Sequence, residues 1–216
     1  MKMNDKFTPV DVLFKSNSVS NIPKLLHIIW VGDKDIPADV NHNISKWIEL
    51  MPDWKIRVWR NKDINNIEFP DDILDKINLS NKFAQKADIM RYHIIEKYGG
   101  VYVDTDNVPH RSLNDVLSLG SDIVLWHDDF VTWEYIAVSF IAAIPHHPIL
   151  QVACELCSTA EINTPDIHFK TGPRLMGRAV SIRGDPNCLV LNPRFFDKHS
   201  QFPEKFASHT YAASWV

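Results

Sequence analysis

Residues 99–108 read Gly-Gly-Val-Tyr-Val-Asp-Thr-Asp-Asn-Val, and this stretch decides the fold. An apolar run leads straight into two aspartates, Asp104 and Asp106, one residue apart. In an extended segment, side chains two apart point the same way, so both carboxylates can face one cation. They stand at the carboxyl end of the run, where open α/β sheets place their ligands. Two negative charges gathered there imply a hard divalent metal, and such a metal commonly holds phosphate.

The flanking pattern supplies the rest of an α/β sheet. Leu25–Val31 (Leu-Leu-His-Ile-Ile-Trp-Val) is continuously apolar, as a strand buried on both faces is. Trp54–Arg60 alternates apolar and polar residues and reads as a strand. Val101–Val103, Ile123–Trp126, Tyr135–Ile144 and Leu189–Leu191 are further strands. Between them, helices are expected over Pro37–Leu50, Pro70–Ile77, residues 81–98, His147–Ala160 and Pro173–Ile182. Ser80 is expected to cap the third of these, and Gly99-Gly100 to end it. Strands alternating with helices imply a largely parallel sheet. With 216 residues and no repeat or linker, one domain over 22–216 is expected, after a loose polar arm at 1–21.

Composition narrows the function classes. A net charge of −4 gives no electrostatic case for nucleic-acid binding. No run approaches the roughly 20 apolar residues of a membrane span. The N-terminus has no signal-peptide pattern, and with three sparse cysteines this points to a cytoplasmic setting. Cys154 and Cys157 form a Cys-x-x-Cys pair inside a predicted buried helix, without the second pair or fold context of a metal or redox site. They read as structural thiols.

The helix before the two aspartates carries a second anomaly. At about 100° per residue, Phe83, Ala84, Ala87, Ile94, Ile95 and Tyr98 share one face. Lys82, Gln85, Lys86, His93, Glu96 and Lys97 share the other. Asp88 and Arg91 fall on or beside the apolar face. A helical ion pair stabilises by only about 0.2–0.5 kcal/mol, whereas burying two charges costs several. A ligand with hydroxyls and phosphates accounts for that placement better than a boundary salt bridge does.

These residues together resemble a known family. Its opening strand is similar to Ile22-Pro23-Lys24-Leu25-Leu26-His27-Ile28-Ile29-Trp30. Its central signature is similar to Ala87-Asp88-x-x-Arg91-Tyr92 followed by Tyr98-Gly99-Gly100-Val101-Tyr102-Val103-Asp104-Thr105-Asp106. Thr171-Gly172-Pro173 and His209-x-x-x-x-Ser214-Trp215 complete the ordered set. The family is that of DXD-motif glycosyltransferases, which includes initiating mannosyltransferases and capsular polysaccharide transferases. It is distantly similar to the catalytic domains of clostridial glucosylating toxins.

The resemblance implies a GT-A type, Rossmann-like fold and transfer of a sugar from a nucleoside diphosphate, UDP favoured, to a glycan or other hydroxyl acceptor with retention of configuration. It implies that Ile29 and Trp30 receive the donor's base, and that Asp88 and Arg91 contact sugar and phosphate. Asp104 and Thr105 would approach ribose or sugar. Asp106 would ligate Mn²⁺ or Mg²⁺ directly, with Asp104 reaching the ion through water and His209 as a further ligand. Ser214 and Trp215 would close over the phosphates. Peripheral contact with a membrane face is compatible with a lipid-linked acceptor.

Three features stand apart. Thr171-Gly172-Pro173 opens a helix whose N–H groups can receive an anion or an acceptor hydroxyl; a plain capped turn is the other reading. Many relatives carry Asn in the strand that here reads Ile136-Ala137-Val138-Ser139-Phe140-Ile141, so Val138 or Ser139 marks a departure that bears on sugar choice or turnover. Asp128, Asp129 and Glu134 are acidic candidates for acceptor contact. Two alternatives stay open: a haloacid-dehalogenase-like phosphatase, since Asp104-Thr-Asp106-Asn-Val108 fits that pattern, and a non-catalytic nucleotide-sugar binding protein.

Overall fold

A computed structural model describes residues 20–127 and 135–212. Most of the expected N-terminal arm, together with Asp128, Asp129, Glu134, Ser214 and Trp215, lies outside the described residues.

In chain order the elements are β1 (Leu25–Ile29), α1 (Ala38–Leu50), β2 (Lys55–Trp59), a short 3₁₀ segment at Asn61–Asn66, α2 (Asp71–Leu79), α3 (Phe83–Tyr98) and β3 (Gly100–Val103). Then come β4 (Asn107–Pro109), α4 (Asn114–Leu117), β5 (Ile123–His127), β6 (Ile136–Ala143), α5 (Pro148–Thr159), α6 (Ile167–Lys170) and α7 (Pro173–Arg183). The chain continues through β7 (Cys188–Leu191), a 3₁₀ turn at Pro193–Phe195 and β8 (Ala207–His209).

Six strands form one sheet in the order β2-β1-β3-β6-β5-β7. The sheet is mostly parallel, as expected: β1 pairs in parallel with β2 and β3, and β5 with β7. Only β6 runs against its neighbours, antiparallel to both β3 and β5. Eight residues separate β5 from β6, and a parallel crossover needs a dozen or more. One core unites α2, α3, α5 and α7 with one face of the sheet, through Ile29, Tyr102, Ile141, Leu150 and Met176. The other lies under α1 and α4 and includes Trp47, Val103, Trp126, Phe196 and Phe206.

Two local readings are corrected. Ser80 does not cap α3: the N-cap is Lys82, without a side-chain hydrogen bond. The chain runs extended through that point, and the Ser80 hydroxyl instead donates to Gln85 Oε1 at 3.1 Å. Nor does α3 present a solvated face along Gln85 and His93. Gln85 is fully buried, and burial pulls the His93 imidazole down to about 4. Packing of α2 and α5 against α3 covers the side that periodicity assigned to water.

The turn from α3 into β3 depends on glycine. Gly99 and Gly100 have φ of +60° and +93°. A Cβ on Gly100 would lie 2.4 Å from the Leu25 carbonyl oxygen, so only glycine allows β1 to approach this closely. His27 secures the same corner. Trp59 Nε1 donates to His27 Nδ1 at 3.0 Å, which leaves Nε2 to donate to the Gly99 carbonyl, also at 3.0 Å. The three cysteines are unpaired thiols within the fold, and burial raises Cys188 to about 12.

Candidate active site

β3 ends at Val103 and delivers Asp104, Thr105 and Asp106 to the carboxyl edge of the sheet. The segment is pinned from both sides. Asp104 N–H and Asn107 Nδ2 both donate to the Ser139 carbonyl, at 2.9 and 2.8 Å. From α1, Asn43 Nδ2 donates to the Thr105 carbonyl at 3.1 Å. The small antiparallel ladder of β4 and β8 sets Asn107 opposite His209, and this pairing brings the imidazole from the far end of the chain to the aspartates.

One ligand atom each from Asp104, Asp106 and His209 lies within 4.8 Å of the others. His209 Nε2 is 3.3 Å from Asp106 and 3.8 Å from Asp104. Burial alone would raise the Asp106 carboxyl, but the hydrogen bond and charge of His209 and the Ala212 N–H outweigh it. The net effect holds Asp106 below the usual carboxylate range. Two carboxylates and an imidazole at this spacing fit a divalent ion of the manganese or magnesium kind.

Arg91 organises the floor. Its Nη2 lies 3.1 Å from Asp88 and 3.3 Å from Asp104. Nη1 donates to the Val138 carbonyl at 2.7 Å and Nε to Ala87 at 3.2 Å. The guanidinium sits 4.6 Å over the Tyr102 ring, whose hydroxyl donates to Asp104 at 2.5 Å. Burial pushes Asp88 up to about 7. Arg91 opposes that shift, and the Asp104 carboxylate adds to it. Thr171 Oγ1 donates to Asp88 at 3.1 Å, tying the junction of α6 and α7 to α3. The charges on the wrong side of the helix are therefore a buried network opening onto the cleft.

That cleft encloses about 680 Å³, open mouth included, and Asp88, Arg91, Asp104, Ser139, Gly172 and His209 line it. The structure thus brings together six of the expected residues: Asp88, Arg91, Asp104, Asp106, His209 and Gly172. Thr105 lies buried at the same corner, and its hydroxyl finds no partner among the described residues. Ile29 is fully buried in the core, so only its backbone can meet a ligand. Trp30 lies just past β1, 6% exposed, with Nε1 donating to the Lys34 carbonyl at 3.0 Å. It is not among the residues lining the cleft.

Sequence reasoning missed several neighbours. Phe83 leaves its ring partly exposed against Gly32, two residues beyond Trp30. Tyr211 packs on the His209 ring at 4.2 Å, and Trp126 meets that ring edge-on at 6.2 Å. Val138 and Ser139, the two positions of the departure in β6, both fall in an irregular stretch of that strand. A step of two residues on β5, Val124 to Trp126, matches five on β6, Ala142 to Ala137. Ser139 falls within this bulge, buried, with a hydroxyl that has no partner among the described residues. Bulges re-aim side chains, often beside active sites.

The architecture is a GT-A type fold with this acidic corner at the carboxyl edge of its sheet. Residues 37–129 match the family model described as "Glycosyltransferase sugar-binding region containing DXD motif". An uncharacterized glycosyltransferase of Acanthamoeba polyphaga mimivirus is 26% identical over 212 residues, covering 90% of this chain and 84% of its own. A mannosyl phosphorylinositol ceramide synthase of Saccharomyces cerevisiae is 25% identical over 207 residues, covering 90% of this chain. This chain spans about half of that relative, 52%. Among solved structures, the PaToxG glycosyltransferase aligns with a TM-score of 0.60 at 16% identity, over 77% of this chain and 70% of its own. The glycosyltransferase domain of the YGT toxin, free of ligand, aligns at 0.56 and 11% identity over 89% and 81%, and it is also known bound to UDP. The matched segment contains Asp88, Arg91, Asp104 and Asp106, and the fold is similar to that of the solved glycosyltransferase domains. The phosphatase alternative does not hold, since Asp104 follows the third strand and is already engaged by Arg91 and Tyr102.

Proposed function

We propose that the chain transfers a sugar from a nucleoside diphosphate, UDP for preference, to a hydroxyl acceptor with retention of configuration, and that it requires a divalent metal. The observation that carries this reading is the meeting of Asp104, Asp106 and His209 beside the Asp88–Arg91 network in one cleft. Asp106 and His209 would hold Mn²⁺ or Mg²⁺, with Asp104 completing the site. When bound, the ion supplies Lewis-acid neutralisation of the leaving diphosphate.

The remaining chemistry belongs to the protein. Asp88 and Arg91 fix the transferred sugar through its hydroxyls and orient the phosphate side. Arg91 is suited to this because four contacts already immobilise its guanidinium. Preorganised charge of that kind costs no rearrangement as the reaction proceeds. Ser139 offers its hydroxyl to the same sugar. Trp30 and Phe83 border the place for the base. Gly172 lines the cleft at the start of α7 with its N–H already donated to the Ile167 carbonyl at 2.9 Å, and Pro173 has no N–H, so this corner offers an acceptor room rather than donors. No dedicated general base is assigned: the departing diphosphate takes the acceptor proton on the same face, and positioning provides much of the rate. UDP is favoured because the YGT domain of the same fold is known with UDP bound. Mannosyl transfer to an inositol lipid, the activity named for the yeast relative, is one acceptor class to try.

A thermal-shift screen of nucleotide-sugars with and without Mn²⁺ tests the reading, because a bound donor raises the melting temperature by mass action. A metal-dependent shift with one donor, followed by its slow hydrolysis, is expected. Tight binding with neither hydrolysis nor transfer would make the chain a binding module instead.

A further inference from the structure

The outer face of α7 carries a charge pattern that the transfer reaction does not use. Its inner face, Leu175, Met176, Ala179 and Val180, is buried in the core. Its outer face shows Arg174, Arg178 and Ile182, with Arg183 at the end. The helix contains no acidic residue. No carboxylate among the described residues comes within ion-pair distance of these three arginines. In a chain of net charge −4, three cations without anions on one short helix are out of keeping.

Two large apolar side chains share this surface. Phe169, on α6, is 38% exposed, and the Arg178 guanidinium lies 5.1 Å over its ring. Ile182, one turn beyond Arg178, is 63% exposed. Cations interleaved with protruding apolar groups suit the boundary between lipid headgroups and acyl chains. The surface also adjoins the cleft: His168 on α6, Gly172 between the helices and Pro173 at the start of α7 line the cleft wall. Among the described residues, no helix is long and apolar enough to cross a membrane, so contact with a bilayer through them is peripheral.

We propose that the Arg174–Arg178–Ile182 face of α7, with Phe169, docks the protein on a bilayer rich in anionic lipid and thereby holds the cleft at the membrane surface. The guanidinium groups donate to headgroup phosphates, and Phe169 and Ile182 enter the interface. The proposal goes beyond the transfer reaction and does not depend on it.

Co-sedimentation of the full chain with vesicles tests it, using phosphatidylcholine alone and phosphatidylcholine with about one-third phosphatidylserine. Binding to the anionic vesicles only is expected, with loss at high salt as screening increases. Arg174→Gln combined with Arg178→Gln should weaken partitioning about 25-fold, roughly fivefold for each cation removed. Phe169→Ser should weaken it separately. Both sites are exposed, and an unchanged melting temperature verifies that the variants fold. Donor hydrolysis measured on the same samples should be unchanged. Equal binding to both vesicle types, or full binding by the double variant, would overturn the proposal. So would a wild-type dimer that the double variant dissolves, since the face would then join two copies. If vesicles behave as expected while no donor is hydrolysed in any sample, the transferase reading fails and the docking face stands.

Discussion

Arg91 Nη2 lies 3.3 Å from Asp104 Oδ1, both side chains being less than 15% exposed. One turn away on the same helix, Asp88 takes the other side of the same nitrogen at 3.1 Å. A single buried cation therefore holds two carboxylates that would repel each other without it. Removing Arg91 leaves those charges uncompensated, which costs about 3–5 kcal/mol. Arg91→Met should lower unfolding free energy by that amount in urea titrations and abolish donor hydrolysis. A stable, active Arg91→Met would mean the network is ornamental. Arg91→Lys should also be inactive, since an ammonium cannot reproduce the planar fork.

Gly100 faces the Leu25 carbonyl more closely than any side chain permits. Gly100→Ala forces β3 away from β1 at a positive φ, combining strain with a steric clash. A loss of at least about 3 kcal/mol is expected. A melting temperature within a degree or two of wild type would show that the corner yields cheaply.

His27 gives stability a pH dependence. Burial pulls its imidazole from 6.5 down to about 4, while the hydrogen bond to Gly99 raises it somewhat and Arg57 lowers it further. The folded state thus keeps His27 neutral where the unfolded chain binds a proton. Unfolding takes up protons between about pH 6.5 and 4, so this contribution is full above 6.5 and is lost as pH falls through that window. The span corresponds to about 3 kcal/mol at 1.36 kcal/mol per unit. His27→Gln should be less stable than wild type at pH 7, and the gap should narrow toward pH 4. A gap independent of pH would mean that His27 titrates normally.

Much of this molecule was legible in the chain, and the limits have physical causes. β1, α3 and β3 announced themselves because their apolar runs are long and their ends carry glycine. Asp88 and Arg91 were visible as charges out of phase with helical periodicity. Gln85 and His93 misled because period alone does not say how many layers cover a helix, and α2 and α5 cover α3 on a second side. β4 and β8 are three residues each, too short to show a pattern. His209 reaches the aspartates only through that pairing, so its place rested on resemblance. The reversal of β6 was in principle readable, because eight residues cannot form a crossover. The bulge at Ser139 was not, because register across β5 and β6 leaves no local mark.

Phe83 and Trp30 separate base recognition from chemistry. Phe83 is partly exposed, so Phe83→Ala should leave stability within about 0.5 kcal/mol. It should weaken nucleotide binding about tenfold if it supplies a stacking contact. Trp30→Ala should weaken binding further and also destabilise, since the ring is buried. Calorimetric titration with UDP separates these effects. Unaltered affinity in both variants would place the base away from these two rings.

The most direct measurement is the hydrolysis of UDP-sugars by the wild-type chain and by Asp106→Ala, each with Mn²⁺ and with chelator. The account predicts turnover by the wild type in Mn²⁺, none in chelator, and none by Asp106→Ala under either condition while its melting temperature stays near wild type. Turnover that survives chelation, or that persists in Asp106→Ala, would contradict it.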